Sequence, residues 1–310
     1  MMTDNAHISL SDADADTYPQ SIPFLKMNGL GNDFVVIDAR QLTHKGAPFK
    51  MTPTLAAAIG NREHGIGCDQ LIVILPATHG GAAFMGIWNT DGSRAEACGN
   101  ATRCVGDLLL QETQDDAVMI ETIAGDLIAA AAPGAMITVD MGEPRLEWDQ
   151  IPLAEEIHDT RGIELQIGPI DAPILHTPAV VNVGNPHAIF FVDDIEDYNL
   201  EQVGPLLENH PMFPERANIS LAQILAPDHI RLKVWERGVG LTLACGTAAC
   251  ATIVAAVRKN LSNRQARVSL PGGDLYMAWN EDDNHIYMTG PTSLDYEGSI
   301  SPQELLARNQ

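Results

Sequence analysis

One short pattern constrains this chain more than any other, because it occurs twice. Ala97-Cys98-Gly99-Asn100-Ala101-Thr102-Arg103-Cys104 runs on into Val105, Leu108 and Leu109, and Ala244-Cys245-Gly246-Thr247-Ala248-Ala249-Cys250 runs on into Ile253, Val254 and Val257. In each copy a cysteine and a glycine precede a small polar residue that can open a helix, and the helix then carries an apolar face. The copies lie close to half the length of the 310-residue chain apart, and a second pair of matched loops, Gly31-Asn32-Asp33 and Gly184-Asn185-Pro186, keeps nearly the same offset. The repeat predicts two similar halves, each placing one thiol at a helix start. Exposed N–H groups and the positive dipole end favour anions there, so both thiols are expected to ionise more readily than a free one.

A chain of this length suits two domains of about 150 residues, each able to bury a core. Its composition, 45% hydrophobic and 19% charged, is globular, and no apolar run approaches the roughly 18 residues of a membrane span. The formal net charge of −23 repels phosphate backbones and argues against nucleic-acid or anionic-membrane partners. Residues 1–20 hold Asp4, Asp12, Asp14 and Asp16 without Lys, Arg or an apolar stretch, and read as a disordered acidic leader rather than an export signal. Cytoplasmic, reduced thiols are therefore expected for Cys68, Cys98, Cys104, Cys245 and Cys250.

Along the chain, strand-like runs at Phe24 to Met27 and Phe34 to Asp38 flank a glycine- and asparagine-rich loop. Thr52-Pro53 opens a helix running to about Asn61. Leu71 to Leu75, Ala82 to Asn89, Ala117 to Thr122, Asp126 to Ala132 and Ala135 to Met141 read as further strands, and residues 145–176, without clear periodicity, as a connector plus poorly defined strands. The second half repeats the order, with strands at Ala179 to Val183, Ala188 to Val192, from Arg216, and at Ile230 to Trp235, and a helix near Leu200 to Asn209. Val268 to Leu270, Leu275 to Ala278 and Ile286 to Thr289 close it. Strands outnumber helices in each half. The expected fold class is α+β, with two pseudo-symmetric domains, each a mixed or antiparallel sheet wrapped around a central helix, and an active site in the cleft between them.

Two helix-capping thiols admit three readings: a metal site, a redox pair or an acid–base pair. The spacings Cys98 to Cys104 and Cys245 to Cys250 do not match metal-ligand pairs, and no C-x-x-C motif is present. Cys104 and Cys250 fall inside apolar helices, where packing is the plainer role, and Cys68 reads as a packed small side chain. An acid–base pair explains more of the pattern. Inverting a stereocentre with an acidic C–H needs a base on one face and an acid on the other, and two similar halves supply one group to each. A helix dipole contributes only about 0.3 to 2 kcal/mol toward stabilising the carbanion, whereas oriented donors in a dry site supply roughly 3 to 4 kcal/mol each. Backbone N–H groups at Gly99-Asn100 and Gly246-Thr247 are candidates for such donors. No cofactor or metal signature accompanies them.

The motifs in order resemble those of the diaminopimelate epimerases. They are Met27-Asn28-Gly29-Leu30-Gly31-Asn32-Asp33-Phe34, Gly65-Ile66-Gly67-Cys68-Asp69-Gln70, Asn89-Thr90-Asp91-Gly92-Ser93 with the first cysteine motif, Gly184-Asn185-Pro186-His187, Trp235-Glu236-Arg237-Gly238, and Ala244-Cys245-Gly246-Thr247. The resemblance runs from about Phe24 to Gly298. It implies a cofactor-independent isomerase of lysine and peptidoglycan-precursor synthesis that interconverts LL-2,6-diaminopimelate and meso-diaminopimelate, with Cys98 and Cys245 as the acid–base pair and His187 and Glu236 assisting proton transfer. It assigns the reacting carboxylate to Gly99, Asn100, Gly246 and Thr247, and further substrate contacts to Asn32, Gln70, Asn89, Asn185, Asn218, Glu236 and Arg237. It also implies a homodimer and domains over 21–145 and 146–289, with 290–310 returning to the first. Ala101-Thr102 and Ala248 depart from the commonest pattern. A related cysteine-pair racemase of proline-like substrates is the neighbouring alternative, against which Asn89, Asn185, Asn218 and Arg237 argue. A thiol redox or binding protein is the alternative from another class.

Overall fold

The computed structural model describes residues 18–95 and 98–309. Most of the expected leader, residues 1–17, lies outside the described residues, as do Glu96 and Ala97. Tyr18, which composition alone assigns to the leader, is buried, and its hydroxyl shares a 2.6 Å hydrogen bond with Thr52 Oγ1. Five α-helices occur among the described residues: α1 (Pro53–Gly60), α2 (Gly99–Thr113), α3 (Leu200–Glu208), α4 (Gly246–Arg258) and α5 (Pro302–Arg308). The chain forms two compact units, one holding residues to Thr113, Val118–Asp126 and the chain from Thr292, the other Gln114–Ala117 and Leu127–Pro291.

In the first unit, Ile22–Gly29 and Asn32–Asp38 pair antiparallel through a tight turn at Leu30 and Gly31. Both turn residues take positive φ, 64° and 92°, and the Asn28 side chain accepts the Gly31 N–H at 2.9 Å, which supports that conformation. Asn32–Asp38 then pairs parallel with Gln70–Leu75, which pairs antiparallel with Ala83–Asn89. That strand takes the short Arg94–Ala95 antiparallel and Ala117–Thr122 parallel. Thr52 caps α1 by accepting the Leu55 N–H at 3.3 Å, with Pro53 at the first helical position. Leu55 and Ile59 of α1 pack with Leu305 and Leu306 of α5 over Ile22, Val35, Ile37 and Leu71.

The second unit repeats the pairing order. Ala179–Asn182 pairs antiparallel with Pro186–Phe191, which pairs parallel with Asn218–Ala226; that strand pairs antiparallel with His229–Glu236, which takes Gly240–Thr242 antiparallel and Gln265–Leu270 parallel. This recurrence of antiparallel, parallel, antiparallel, antiparallel and parallel contacts is the structural form of the sequence repeat. Helix α4 is buried over nearly its whole length and packs against strands of its own unit. Its apolarity is therefore all-round rather than one-sided, as a central helix requires.

Two expectations change. Sequence places the hairpin Gly125–Ala132 with Met136–Asp140 in a first domain ending at 145, but Met136–Asp140 pairs with Ile286–Pro291, and so from Leu127 the chain belongs to the second unit. The connector 145–176 also does more than connect. Ile151, Leu153, Ile163 and Leu165 are buried with Leu200, Val203 and Leu207 of α3 against Val180, Phe190, Ile219 and Leu221, closing a second core without periodic structure of their own.

Candidate active site

The repeated topology places the expected site residues at matching stations in the two units. Asn32 and Asn185 sit at the first turns, Gln70 and Asn218 begin the parallel strands, Asn89 and Glu236 end the strands that follow, and Cys98 and Cys245 precede the central helices. In the first unit Gln70 and Asn89 face one another across the strand pair, and Gln70 Nε2 donates to Asn89 Oδ1 at 3.1 Å. Asn89 Nδ2 in turn donates to Ser93 Oγ at 3.0 Å. The Cys98 carbonyl accepts both the Thr102 N–H and the Thr102 hydroxyl, each at 2.9 Å, so Thr102 adds a second tie to the start of α2.

A polar chain orients the asparagines of this unit. Arg103, fully buried, donates to Asn100 Oδ1 at 2.9 Å, Asn100 Nδ2 donates to Asn32 Oδ1 at 2.6 Å, and Asn32 Nδ2 donates to Asp69 Oδ2 at 3.2 Å. A cation at one end and a carboxylate at the other give both amides the same sense. Arg62 joins Asp69 to Asp33, and Lys26 reaches Asp33 at 2.6 Å and the Gly67 carbonyl. Burial raises the Asp33 pKa, but hydrogen bonds from Arg62 and Lys26 outweigh it and hold the carboxyl well below its usual range. Gly29 lets the first strand approach α2: a Cβ there would stand 3.0 Å from the Asn100 carbonyl oxygen and 3.4 Å from Cys104 Sγ. Sequence reasoning quotes Arg103, Asp69 and Gly29 within motifs but gives none of them, nor Arg62, a role; for Arg103 the signal is an arginine inside an apolar helix.

In the second unit Cys245 is the N-cap of α4, and its carbonyl accepts the Ala249 N–H at 3.1 Å. The expected easing of ionisation fails at this thiol. Cys245 is 5% exposed, and burial, with the Glu236 charge adding to it, pushes its pKa well above the ordinary value. Thr247, whose hydroxyl lies 3.5 Å from Sγ, and the Ala248 N–H pull the other way without prevailing. Desolvation outweighs the helix dipole, and Cys245 rests as the neutral thiol. The thiols with a packing role are likewise held neutral by burial, Cys68 pushed up to about 11 and Cys104 to about 12.

His187 is completely buried on Pro186–Phe191, beside Asn218 in the parallel register. Its Nε2 lies 2.8 Å from Asn185 Oδ1, which assigns the proton to Nε2 and leaves Nδ1 a bare acceptor with no partner among the described residues. Burial, with the Arg237 charge adding to it, lowers its pKa to about 3. Asn218 Nδ2 donates to the Pro186 carbonyl at 3.1 Å, and its Oδ1 accepts the Arg237 N–H at 2.9 Å. Glu236 accepts the Thr242 hydroxyl, and Arg237 NH1 donates to the Glu215 carbonyl at 2.9 Å. Cys98, Gly99, Asn100, Asn32, Gln70 and Asn89 thus gather in one unit, and Cys245, Gly246, Thr247, Asn185, His187, Asn218, Glu236 and Arg237 in the other. No group of His, Cys, Asp and Glu forms a metal site among the described residues.

Solved structures of similar fold include a hydroxyproline epimerase from Agrobacterium vitis with bound trans-4-hydroxy-L-proline. That structure matches with a TM-score of 0.64 at 14% identity, covering 92% of this chain and 93% of the other. A PhzF-family phenazine biosynthesis protein of Bacillus anthracis matches with a TM-score of 0.60 at 15% identity, covering 91% and 99%. The family model for diaminopimelate epimerase matches residues 24–147 and 179–294. Proteins named diaminopimelate epimerase are 55% identical over 287 residues in Methylorubrum populi, covering 90% of this chain and 95% of that one, and 53% identical over 281 residues in Afipia carboxidovorans, with the same two coverages. The chain belongs to the diaminopimelate epimerase family.

Proposed function

We propose that the protein interconverts LL-2,6-diaminopimelate and meso-diaminopimelate by proton transfer between Cys98 and Cys245, without a cofactor. The observation that carries this reading is a cysteine at the start of a central helix in each of two topologically matched units, each followed by a glycine and a small polar residue. One thiolate takes the α-proton and becomes a thiol. The other thiol gives its proton to the opposite face of the carbanion and becomes a thiolate, so each turnover exchanges their states.

Cys245, kept a neutral thiol by burial, serves as the acid for substrate arriving with its α-proton toward Cys98, and Cys98 serves as the base in that direction. Backbone N–H groups at Gly99-Asn100 and Gly246-Thr247 hold the α-carboxylate, where charge builds up during proton loss. His187 stays neutral above about pH 3 and serves as a fixed hydrogen-bonding group rather than as an imidazolium acid. Asn32, Gln70, Asn89, Asn185 and Asn218 supply neutral donors and acceptors. Arg237 offers a planar fork to the distal carboxylate, and Glu236 holds a charge beside Cys245. The family resemblance extends the reading to a cytoplasmic homodimer.

Incubation with LL-2,6-diaminopimelate in deuterated water tests it. The expected products are the meso isomer and a single deuterium at one α-carbon; an unchanged, fully protiated substrate refutes the assignment.

A further inference from the structure

We propose that Glu208 is the positioning residue of the Glu236–Arg237 turn. Its carboxylate is 5% exposed at the end of α3, and three donors from two other segments converge on it. Oε1 accepts the Gly238 N–H at 2.9 Å and Arg216 NH1 at 3.1 Å, while Oε2 accepts Trp235 Nε1 at 2.7 Å. Trp235 and Gly238 are the residues on either side of Glu236 and Arg237. One carboxylate therefore grips both ends of the two-residue step that carries them.

The same residue also reaches the other support of that step. The Glu208 carbonyl accepts the Ala217 N–H at 3.3 Å, next to Asn218, whose Oδ1 holds the Arg237 N–H. Gly238 turns at a φ of 76° and Arg216 at 60°, both in the left-handed region, so the backbone on each side of the anchor sits where it needs external support. Trp235 has no freedom to follow a displaced carboxylate, because a Cβ at Gly204 would stand 2.6 Å from its ring, which shows how closely α3 packs on it. Strand pairing alone ends at Glu236 opposite Gly240. Beyond it, the Val239 N–H closes the turn on the Glu236 carbonyl at 3.1 Å, and the side chains of Asn218 and Glu208 take up the Arg237 and Gly238 N–H groups inside it.

The chemistry calls for a carboxylate and nothing else of that size. Three donors need an acceptor-only group, and glutamine offers one oxygen and one NH₂. In Glu208→Gln, with the amide oxygen toward Gly238 and Arg216, the new NH₂ would oppose the Trp235 indole N–H; flipped, it would oppose the other two. Replacing Trp235 by Phe removes the indole donor and lets that glutamine satisfy what remains.

The inference rests on the diaminopimelate reading for its kinetic readout, so amide hydrogen exchange at Arg237 and Gly238 is measured beside it. Full-length Glu208→Gln is expected to raise KM for diaminopimelate about tenfold or more, the scale of one lost charge-assisted hydrogen bond, with a smaller fall in kcat. Exchange at the two amides should quicken in parallel, and Glu208→Gln with Trp235→Phe should restore both. A KM unchanged in folded Glu208→Gln, unaltered amide exchange, or a double variant no better than the single one overturns the proposal, since a purely structural carboxylate would lower the melting temperature and leave KM alone. If the single variant does not fold, a folded double variant with wild-type KM supports the anchor, and a double variant that also fails to fold overturns it. Wild type inert toward diaminopimelate refutes the substrate reading instead, and the amide exchange still decides the role of Glu208.

Discussion

Acid should destabilise this protein earlier than its carboxylates allow, through His187. The ring is fully buried and its pKa lies at about 3, whereas an unfolded histidine titrates near 6.5. Between those values the unfolded chain binds a proton that the native state refuses, so stability is complete above about pH 6.5 and falls as pH falls toward 3. The slope is about 1.4 kcal/mol per pH unit, so the loss from pH 6.5 to 5 is about 2 kcal/mol. Depressed carboxylates lose their contribution only at lower pH: Glu121, whose burial is outweighed by the Thr78, Gly81 and His79 donors that bring it down to about 2, and Asp33 below it. His79 and His285, raised by hydrogen bonds to Asp126 and Asp140, act in the opposite sense and lose stabilisation as pH rises. Urea unfolding of wild type and His187→Gln at pH 7, 6 and 5 isolates the effect, because glutamine can still donate to Asn185 and does not titrate. The stability gap between the two proteins should narrow by about 2 kcal/mol from pH 7 to pH 5. Parallel pH dependences would refute the burial argument.

Three further outcomes are expected. Arg237→Lys keeps the charge and loses the fork, so kcat/KM should fall more than about tenfold, roughly 1.4 kcal/mol or more; unchanged kinetics would place Arg237 outside substrate contact. Cys98→Ser and Cys245→Ser should each abolish interconversion yet retain proton exchange from one stereoisomer, with opposite preferences in the two variants, as followed by NMR in deuterated water; a shared preference refutes a one-thiol-per-face mechanism. Glu121→Gln sets an amide NH₂ against the Thr78, His79 and Gly81 donors, and should lower the melting temperature in calorimetry while leaving kcat as in wild type; an unchanged melting temperature refutes the staple role of this carboxylate.

What is legible in the sequence is local or repeated. The Thr52-Pro53 helix start, the strand runs and the two cysteine helices carry their own signals in capping residues and apolar spacing. The expected site residues stand out in the sequence because they lie in motifs near strand ends, turns and helix starts. Long-range partners leave no such mark. The hairpin at Leu127–Asp140 joins the second unit through Ile286–Pro291, and nothing within the hairpin names that partner. Residues 145–176 bury four apolar side chains without a period, so pattern reading cannot separate them from a linker. The Cys245 pKa turns the other way because a helix N-terminus can be seen in sequence, whereas the burial that overrides it depends on every element packed around the thiol.

The closing strand of the first unit has a consequence for how the chain is made. Ile22 lies opposite Ile300, and Ser293–Ile300 is the outer neighbour of Ile22–Gly29. The unit begun first by the ribosome is therefore the last to be finished, and the second unit has nearly all its strands available earlier. Until the final strand emerges, Ile22–Gly29 presents an unpaired edge carrying Phe24 and Met27, the kind of surface that invites aggregation. A chain stopped after Pro291 should give a protease-resistant fragment over Leu127–Pro291 while Ile22–Asp126 is degraded, and equal resistance of the two would refute this order. Contacts of such long sequence separation carry a larger loop-closure cost than local ones, so closure of the first unit is expected to be the slower event of folding.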